Sequence, residues 1–222
     1  GIIIVRPLVE MSAVTEFAFN TDGPVFAGTL FPFLFITIAC GALSGMHAMV
    51  SSGTSPKMVE KETQVRMIGY GGMLMESFVA IMALAAAVSL SPGIYFSMNT
   101  STATMNKLAG PETVAAAPCK TTDDPEHHCE KLAEAAVAKL GVTDAQGRKP
   151  TPEWDSWDDN GNPKTYTGAE ALERLASDVG EPNVVSRTGG APTLSVGIAH
   201  ILHQIGGGRA MMGFWYHFAI MF

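Results

Sequence analysis

The chain has 222 residues, 47% of them hydrophobic and 16% charged, with a formal net charge of −7. That length holds one or two soluble domains, and no basic patch suggests a nucleic-acid partner. The charge is unevenly spread. Residues 24–55 contain no Asp, Glu, Lys or Arg, residues 67–106 contain only Glu76, and residues 188–222 contain only Arg209. Lys107–Arg187 carries 9 Lys/Arg against 15 Asp/Glu, so the net charge describes one acidic insertion between apolar segments.

In chain order, Gly1-Ile-Ile-Ile-Val5 followed by Arg6-Pro7 reads as the end of a preceding transmembrane helix (1–8). Residues 9–24, with Glu10, Glu16 and Asp22, form an extracytoplasmic loop. The uncharged run that follows is a span signal, because roughly 20 apolar residues cross a bilayer, and it predicts a transmembrane helix over 25–50. Residues 51–67 form a cytoplasmic loop: Lys57, Lys61 and Arg66 mark the inner side, where Lys/Arg excess in short loops is found. A second transmembrane helix is predicted over 68–91, closed by the turn signal Ser91-Pro92-Gly93. That delivers the insertion, 92–192, to the extracytoplasmic face.

Within the insertion the pattern predicts helices over Glu126–Leu140, with Asp124-Pro125 as N-cap and first helical residue, and over Gly168–Val179. Gln146–Tyr166 is expected as a Pro/Gly/Asp/Asn/Trp loop. Thr193–Ile205 is too short to span and suits a re-entrant or interfacial helix (193–205) stopped by Gly206-Gly207-Gly208. A truncated transmembrane helix occupies 211–222, and the chain is expected to be a fragment of a longer polytopic protein.

The residues with chemistry are few. Gly41-Ala-Leu-Ser-Gly45 is a GxxxG pattern, read first as a helix-packing face. Its continuation through Ser44, His47, Ser51, Ser52 and Thr54 places small hydroxyl groups and an imidazole where a broken helix would meet substrate or ions. Glu76 is the one carboxylate of the second span. At helix centre it costs about 2.5–3.5 kcal/mol on insertion scales. Two readings stand: a proton-coupling site, with or without His47, or a carboxylate near the cytoplasmic end reaching headgroups or Arg66.

His200 and His203, three apart, share a helix face. With His217 they invite a metal, but no ligating partner is near in sequence, and hydrogen-bonded or interfacial histidines are expected. Trp215 and Tyr216 fit an aromatic belt. Cys119 and Cys129 are expected to pair as a local disulfide outside the cytoplasm, and Cys40 to be a free thiol. Ser156–Asn162 has the look of half a calcium loop, but positions one and twelve (Ser156, Thr167) lack carboxylates, so a turn is expected. No cofactor, metal or enzyme constellation is found.

Phe31–Lys57, Ile68–Leu84, Gly189–Ala199 and Phe214–Phe222 resemble the carbon starvation protein A family. The resemblance covers residues 1–100 and 180–222, whereas 101–178 departs from the pattern. It implies an all-helical, polytopic transmembrane bundle of the bacterial or archaeal inner membrane, with many more helices than this chain holds. It implies proton-coupled import of peptides or pyruvate under nutrient limitation, with the proton, the lipid bilayer and the remaining helices as partners. The competing class is a membrane-embedded receptor whose extracytoplasmic insertion binds a nutrient.

Overall fold

In the computed structural model, described for residues 2–21, 23–25, 28–42, 45–110, 128–158, 160–188, 190–205 and 208–221, the chain opens on a single turn, α1 (Ile2–Val5). It separates into two units. One comprises Phe17–Gly23 and Ala27–Met82; the other comprises Gly1–Glu16, Pro24–Phe26 and Ala83–Phe222.

The first unit is helical and irregular. A π-type turn over Leu30–Leu34 contains the extended residue Phe31 (φ −121°, ψ 130°), so helical geometry proper starts at Pro32. α2 (Phe35–Ala42) and α3 (Gly45–Met49) follow. A second π-type turn, Val50–Thr54, leads into the short α4 (Ser55–Met58). This differs in its bounds from the transmembrane helix expected over 25–50: the helical residues start later, run on past Val50 to Met58, and are wound unevenly. Pro32 explains the late start, since a proline is favoured in the first turn of a helix and the residue before it is pushed towards extended geometry.

α5 (Glu62–Val88) is 27 residues long, about 40 Å at 1.5 Å per residue. It begins six residues before the expected boundary, and only Val59–Lys61 separate it from α4. Among the described residues it is the one helix long and apolar enough to cross a membrane. From Val65 to Leu84 its large side chains, among them Met67, Tyr70, Met75, Phe78 and Ile81, are exposed. A helix apolar on all sides needs a non-aqueous neighbour over its whole circumference.

The second unit takes the end of α5 and everything after it. Ser91 is not a closing turn but the N-cap of α6 (Pro92–Asn99): its Oγ accepts from the Ile94 N–H at 3.4 Å, with Pro92 in the first turn. α7 (Thr102–Ala109) is capped in the same way by Ser101. α8 (His128–Ala138) buries Cys129, Leu132, Ala133, Ala136 and Val137 along one side. Asp124 and Pro125, expected to start that helix, lie outside the described residues.

The stretch expected as a loop holds an antiparallel hairpin, β1 (Glu153–Trp157) with β2 (Pro163–Thr167), so the unit is not all-α. Its register opposes Trp154 to Tyr166 and Asp155 to Thr165. The alternation Trp154-Asp155-Ser156 buries the first and third residues and exposes the second. The connecting loop is closed by Asp158, whose Oδ1 accepts from the Asn160 and Asn162 N–H groups at 2.8 Å each. Those bonds, the Asn162 backbone N–H first, hold the Asp158 carboxyl below the usual carboxylate range. The half calcium loop is thus an Asx turn that needs no ion to close it.

α9 (Ala169–Val179) is sharply two-faced and ends on Gly180 at φ +77°. There the Gly180 and Glu181 N–H groups reach back to the last carbonyls, as in a Schellman ending. α10 (Ala191–His203) and α11 (Gly208–Met221) pack along one another, and α9 lies against both α11 and the hairpin. The core runs through Leu90, Ile94, Met98, Met105, Leu132, Trp154, Leu172, Leu175, Val196, Met212 and Tyr216. Tyr216, expected in an aromatic belt, is buried there at 2% exposure, with Trp215 packed against the same core. The end of α5 is held close by Gly197, where a Cβ would lie 2.4 Å from the Ala86 carbonyl oxygen.

Candidate functional site

The polar residues singled out in the uncharged segment fall at its irregular end. Val50–Thr54 is wound with i→i+5 geometry, the Ser55 N–H donating to the Val50 carbonyl. Within it the Ser51 and Ser52 hydroxyls both donate back to the Ala48 carbonyl, at 3.1 and 2.7 Å. Such back-bonding competes with the regular helix ladder and bends helices, and single π-type turns recur at functional positions. Ser51, Ser52 and Thr54 are exposed, and beyond its chain neighbours and its own helix backbone no described atom lies within 4 Å of where a Gly53 Cβ would sit. Ser44 lies outside the described residues. His47 sits in α3, one turn before the serines.

Gly41 belongs to α2 and Gly45 opens α3. A Cβ at Gly45 would meet nothing within 4 Å. Beyond its own helix, no described residue packs on the side of Gly45 where a side chain would stand.

Glu76 stands in the middle of α5, with fourteen helix residues before it and twelve after, and it is exposed. Arg66 is ten residues away, about 15 Å along the axis, beyond the reach of an ion pair. No hydrogen bond or ion pair among the described residues joins Glu76 to Ser51, Ser52 or Thr54, so the serine turn and the carboxylate remain separate features.

In the second unit α10 presents its two histidines to the hairpin. Trp154 meets His200 with ring centroids 5.1 Å apart, Trp157 meets His203 at 5.3 Å, and the two imidazoles are 5.4 Å apart. The His203 Nδ1–H donates to the Ala199 carbonyl at 3.3 Å. The His200 Nδ1 is sealed from solvent with no hydrogen-bond partner among the described residues. Burial, then the neighbouring His203, pulls His200 down to about 4 against the weaker opposing pull of Asp155; burial also lowers His203. Beneath them Asp178 accepts from Trp154 Nε1 at 3.1 Å and from the Ser156 hydroxyl at 2.5 Å, and pairs with Arg174 Nε at 3.5 Å. The pairing of histidines with hairpin tryptophans has no signature in either segment alone, since the two lie more than forty residues apart. Only the i, i+3 spacing of the histidines hinted at a shared face.

Cys129 is fully buried in α8 and disulfide-bonded; Cys119 lies outside the described residues. His217 is exposed on α11.

The chain's length agrees with a model of one family, described as carbon starvation protein CstA, over residues 1–151 and 153–222. This chain belongs to the CstA family. It is 48% identical over 222 residues to the peptide transporter CstA of Escherichia coli (strain K12), covering 100% of this chain and 26% of that one. It is 46% identical to the peptide transporter CstA of Mycobacterium tuberculosis (strain ATCC 25618 / H37Rv), covering 24% of it, and 46% identical to the pyruvate/proton symporter BtsT of E. coli (strain K12), covering 28%. The chain thus spans about a quarter of the length of these CstA relatives. No solved structure matches it. The family match runs through 101–178 as well, broken only at residue 152, so the central region does not stand apart from the CstA pattern.

Proposed function

We propose that this chain is part of a secondary active transporter of the inner membrane that couples proton entry to uptake of peptides or pyruvate during carbon starvation. The observation that carries this reading is the agreement of the whole chain with CstA-family relatives, named as a peptide transporter and a pyruvate/proton symporter. The local chemistry supports it. A transporter needs non-uniform helix backbone where substrate is handled, and the Ser51–Thr54 turn supplies that together with three hydroxyl groups. Coupling needs a titratable group at depth, and Glu76, at the midpoint of an otherwise uncharged apolar stretch, is that group, with His47 as a second candidate.

In this reading Ser44, His47, Ser51, Ser52 and Thr54 line the substrate path, and Gly41 and Gly45 pack against helices elsewhere in the full-length protein. Residues 92–192 face outward, stapled by a Cys119–Cys129 disulfide. The protein is multi-pass and works by alternating access. Uptake of labelled dipeptide or pyruvate into proteoliposomes holding only the full-length purified protein, under an imposed inward proton gradient, tests it. Accumulation that collapses with a protonophore is the expected result. Absence of gradient-driven uptake of either compound would overturn the reading and leave the receptor class standing.

A further inference from the structure

A cavity of about 140 Å³ opens in the second unit where residue 10, the start of α6, the hairpin and α10 meet. That volume is about five waters' share of the liquid, room for one terminal residue of a peptide. Glu10, Glu153 and Asp155 contribute three carboxylates to its wall, Arg148 stands among them, and Trp154 and His200 form an aromatic side. Arg148 is already paired with one carboxylate, its Nε donating to Asp144 Oδ2 at 2.7 Å, so its single charge offsets at most one of those around it. Asp144 also accepts from the Arg148 and Gln146 N–H groups. Although partial desolvation raises the Asp144 carboxyl, these bonds outweigh it and hold it below the usual range, so it stays ionised against the guanidinium. Around Arg148 there are therefore four carboxylates, with Lys149 the second cation beside Glu10 and Glu153, and the balance of formal charge at the cavity is negative.

The carboxylates differ in how far they are occupied. Asp155 accepts from the Thr165 hydroxyl across the hairpin at 2.6 Å. Glu10 and Glu153 are close enough to Arg148 to act on its charge, yet no described residue hydrogen-bonds or ion-pairs with either carboxylate. The backbone holds them in place: the Glu10 N–H donates to the Val88 carbonyl, the Ala145 N–H donates to the Glu10 carbonyl, and Ser91 Oγ bridges both backbone groups of Glu153. His200 lines the cavity, and its Nδ1, shut off from solvent, has no hydrogen-bond partner among the described residues. The wall is thus a rigid frame with unspent acceptors.

Two observations narrow the ligand. No three His, Cys, Asp or Glu side chains among the described residues are grouped so as to hold a metal ion, which argues against a bare metal cation. A primary ammonium group, with three N–H donors and a full positive charge, suits spaced carboxylates and an indole wall. An anion such as an α-keto acid would instead meet net repulsion. We infer that this cavity binds the ammonium terminus of a short peptide through Glu10 and Glu153, which makes it a peptide-capture site and selects peptides over α-keto acids as its ligand class. The inference rests on the transport reading only for the identity of the ligand; the binding itself does not require that transport occur.

The test is calorimetric titration of the full-length protein in nanodiscs with L-alanyl-L-alanine, N-acetyl-L-alanyl-L-alanine and pyruvate, alongside proteoliposome uptake. The free dipeptide is expected to bind at least tenfold more tightly than its N-acetylated form, which keeps the shape but loses the charge. The double variant E10Q/E153Q is expected to weaken the free dipeptide at least tenfold and to bind the two forms alike. E10D/E153D should restore binding to within about threefold. Equal binding of the two forms by the unaltered protein, which needs no variant, overturns the inference. So does unchanged dipeptide affinity in a folded E10Q/E153Q protein. Glu-dependent binding without uptake would sink the transport reading alone. Uptake of dipeptide with the same KM in the double variant would sink the capture site alone.

Discussion

Among the described residues Glu76 has no ion-pair partner, because α5 begins at Glu62 and carries it to the helix midpoint. A carboxylate at that depth is tolerated when it is protonated or faces a polar interior, and either condition makes its protonation depend on what surrounds it. In the full-length protein, Glu76→Gln keeps the shape and removes the proton. It is expected to cut proton-driven uptake at least tenfold and to flatten its dependence on external pH, while counterflow exchange of substrate persists. Uptake with unaltered pH dependence would show that Glu76 does not couple. This residue was legible in the sequence because it is the one charge in forty positions. Asp178 was not. It is one of several acidic residues on an amphipathic helix, and its partners Trp154 and Ser156 come from a hairpin more than twenty residues earlier. A local pattern cannot reveal a group whose meaning is set by distant donors.

At the scale of elements, α5, α8, α9 and α10 were visible from periodicity, but α6, α7 and the hairpin were not. Its strands are five residues each, and the stretch from Gln146 to Tyr166 is dense in Pro, Gly, Asp and Asn. Those residues signal turns, and the alternation of Trp154 and Ser156 inward is too short to outweigh them. Two consequences follow from how the elements meet. A Cβ at Gly197 would fall 2.4 Å from the Ala86 carbonyl oxygen, a backbone atom that cannot rotate away. Gly197→Ala should therefore force α10 off the end of α5 at a cost of about 1–3 kcal/mol. The cost would be seen as a lower thermal midpoint of the full-length protein and faster amide exchange over 191–203. An unchanged midpoint and exchange pattern would mean that α10 and the end of α5 lie farther apart than 2.4 Å allows.

The hairpin–α10 contact carries a pH dependence. His200 titrates near 4 in the folded unit against 6.5 for an ordinary histidine, so folding favours the neutral ring. Its contribution is fully present above pH 6.5 and is lost as the pH falls from there towards 4, by up to about 3 kcal/mol. The groups facing it, His203 on α10 and Asp155 on β1, act in opposite senses, and the histidine is the stronger. The denaturant midpoint followed by tryptophan fluorescence should drop across that range in the full-length protein. His200→Gln, which cannot take up the proton, should flatten the drop. A slope unaffected by that substitution would assign the acid sensitivity to other groups.

For the whole molecule, the two units make opposite demands on their surroundings. α5 exposes Met67, Tyr70, Met75, Phe78 and Ile81 on several sides, a surface stable only against lipid or against further apolar protein surface. The second unit encloses its own core and shows charged side chains such as Lys164 and Glu170 to water. α4 and the short link after it carry Lys57 and Lys61, and basic residues in short loops stay on the cytoplasmic side. If α5 crosses from there, residues 92–192 face outward, and the Glu10–Glu153 cavity faces outward with them. Single cysteines in the full-length protein decide this. Lys164→Cys, at an exposed position of β2, should react with a membrane-impermeant maleimide in intact spheroplasts, and Lys57→Cys only after the membrane is opened. The reverse pattern would turn the insertion to the cytoplasm. The cavity would then meet substrate on its release, and its excess negative charge would act on the leaving peptide.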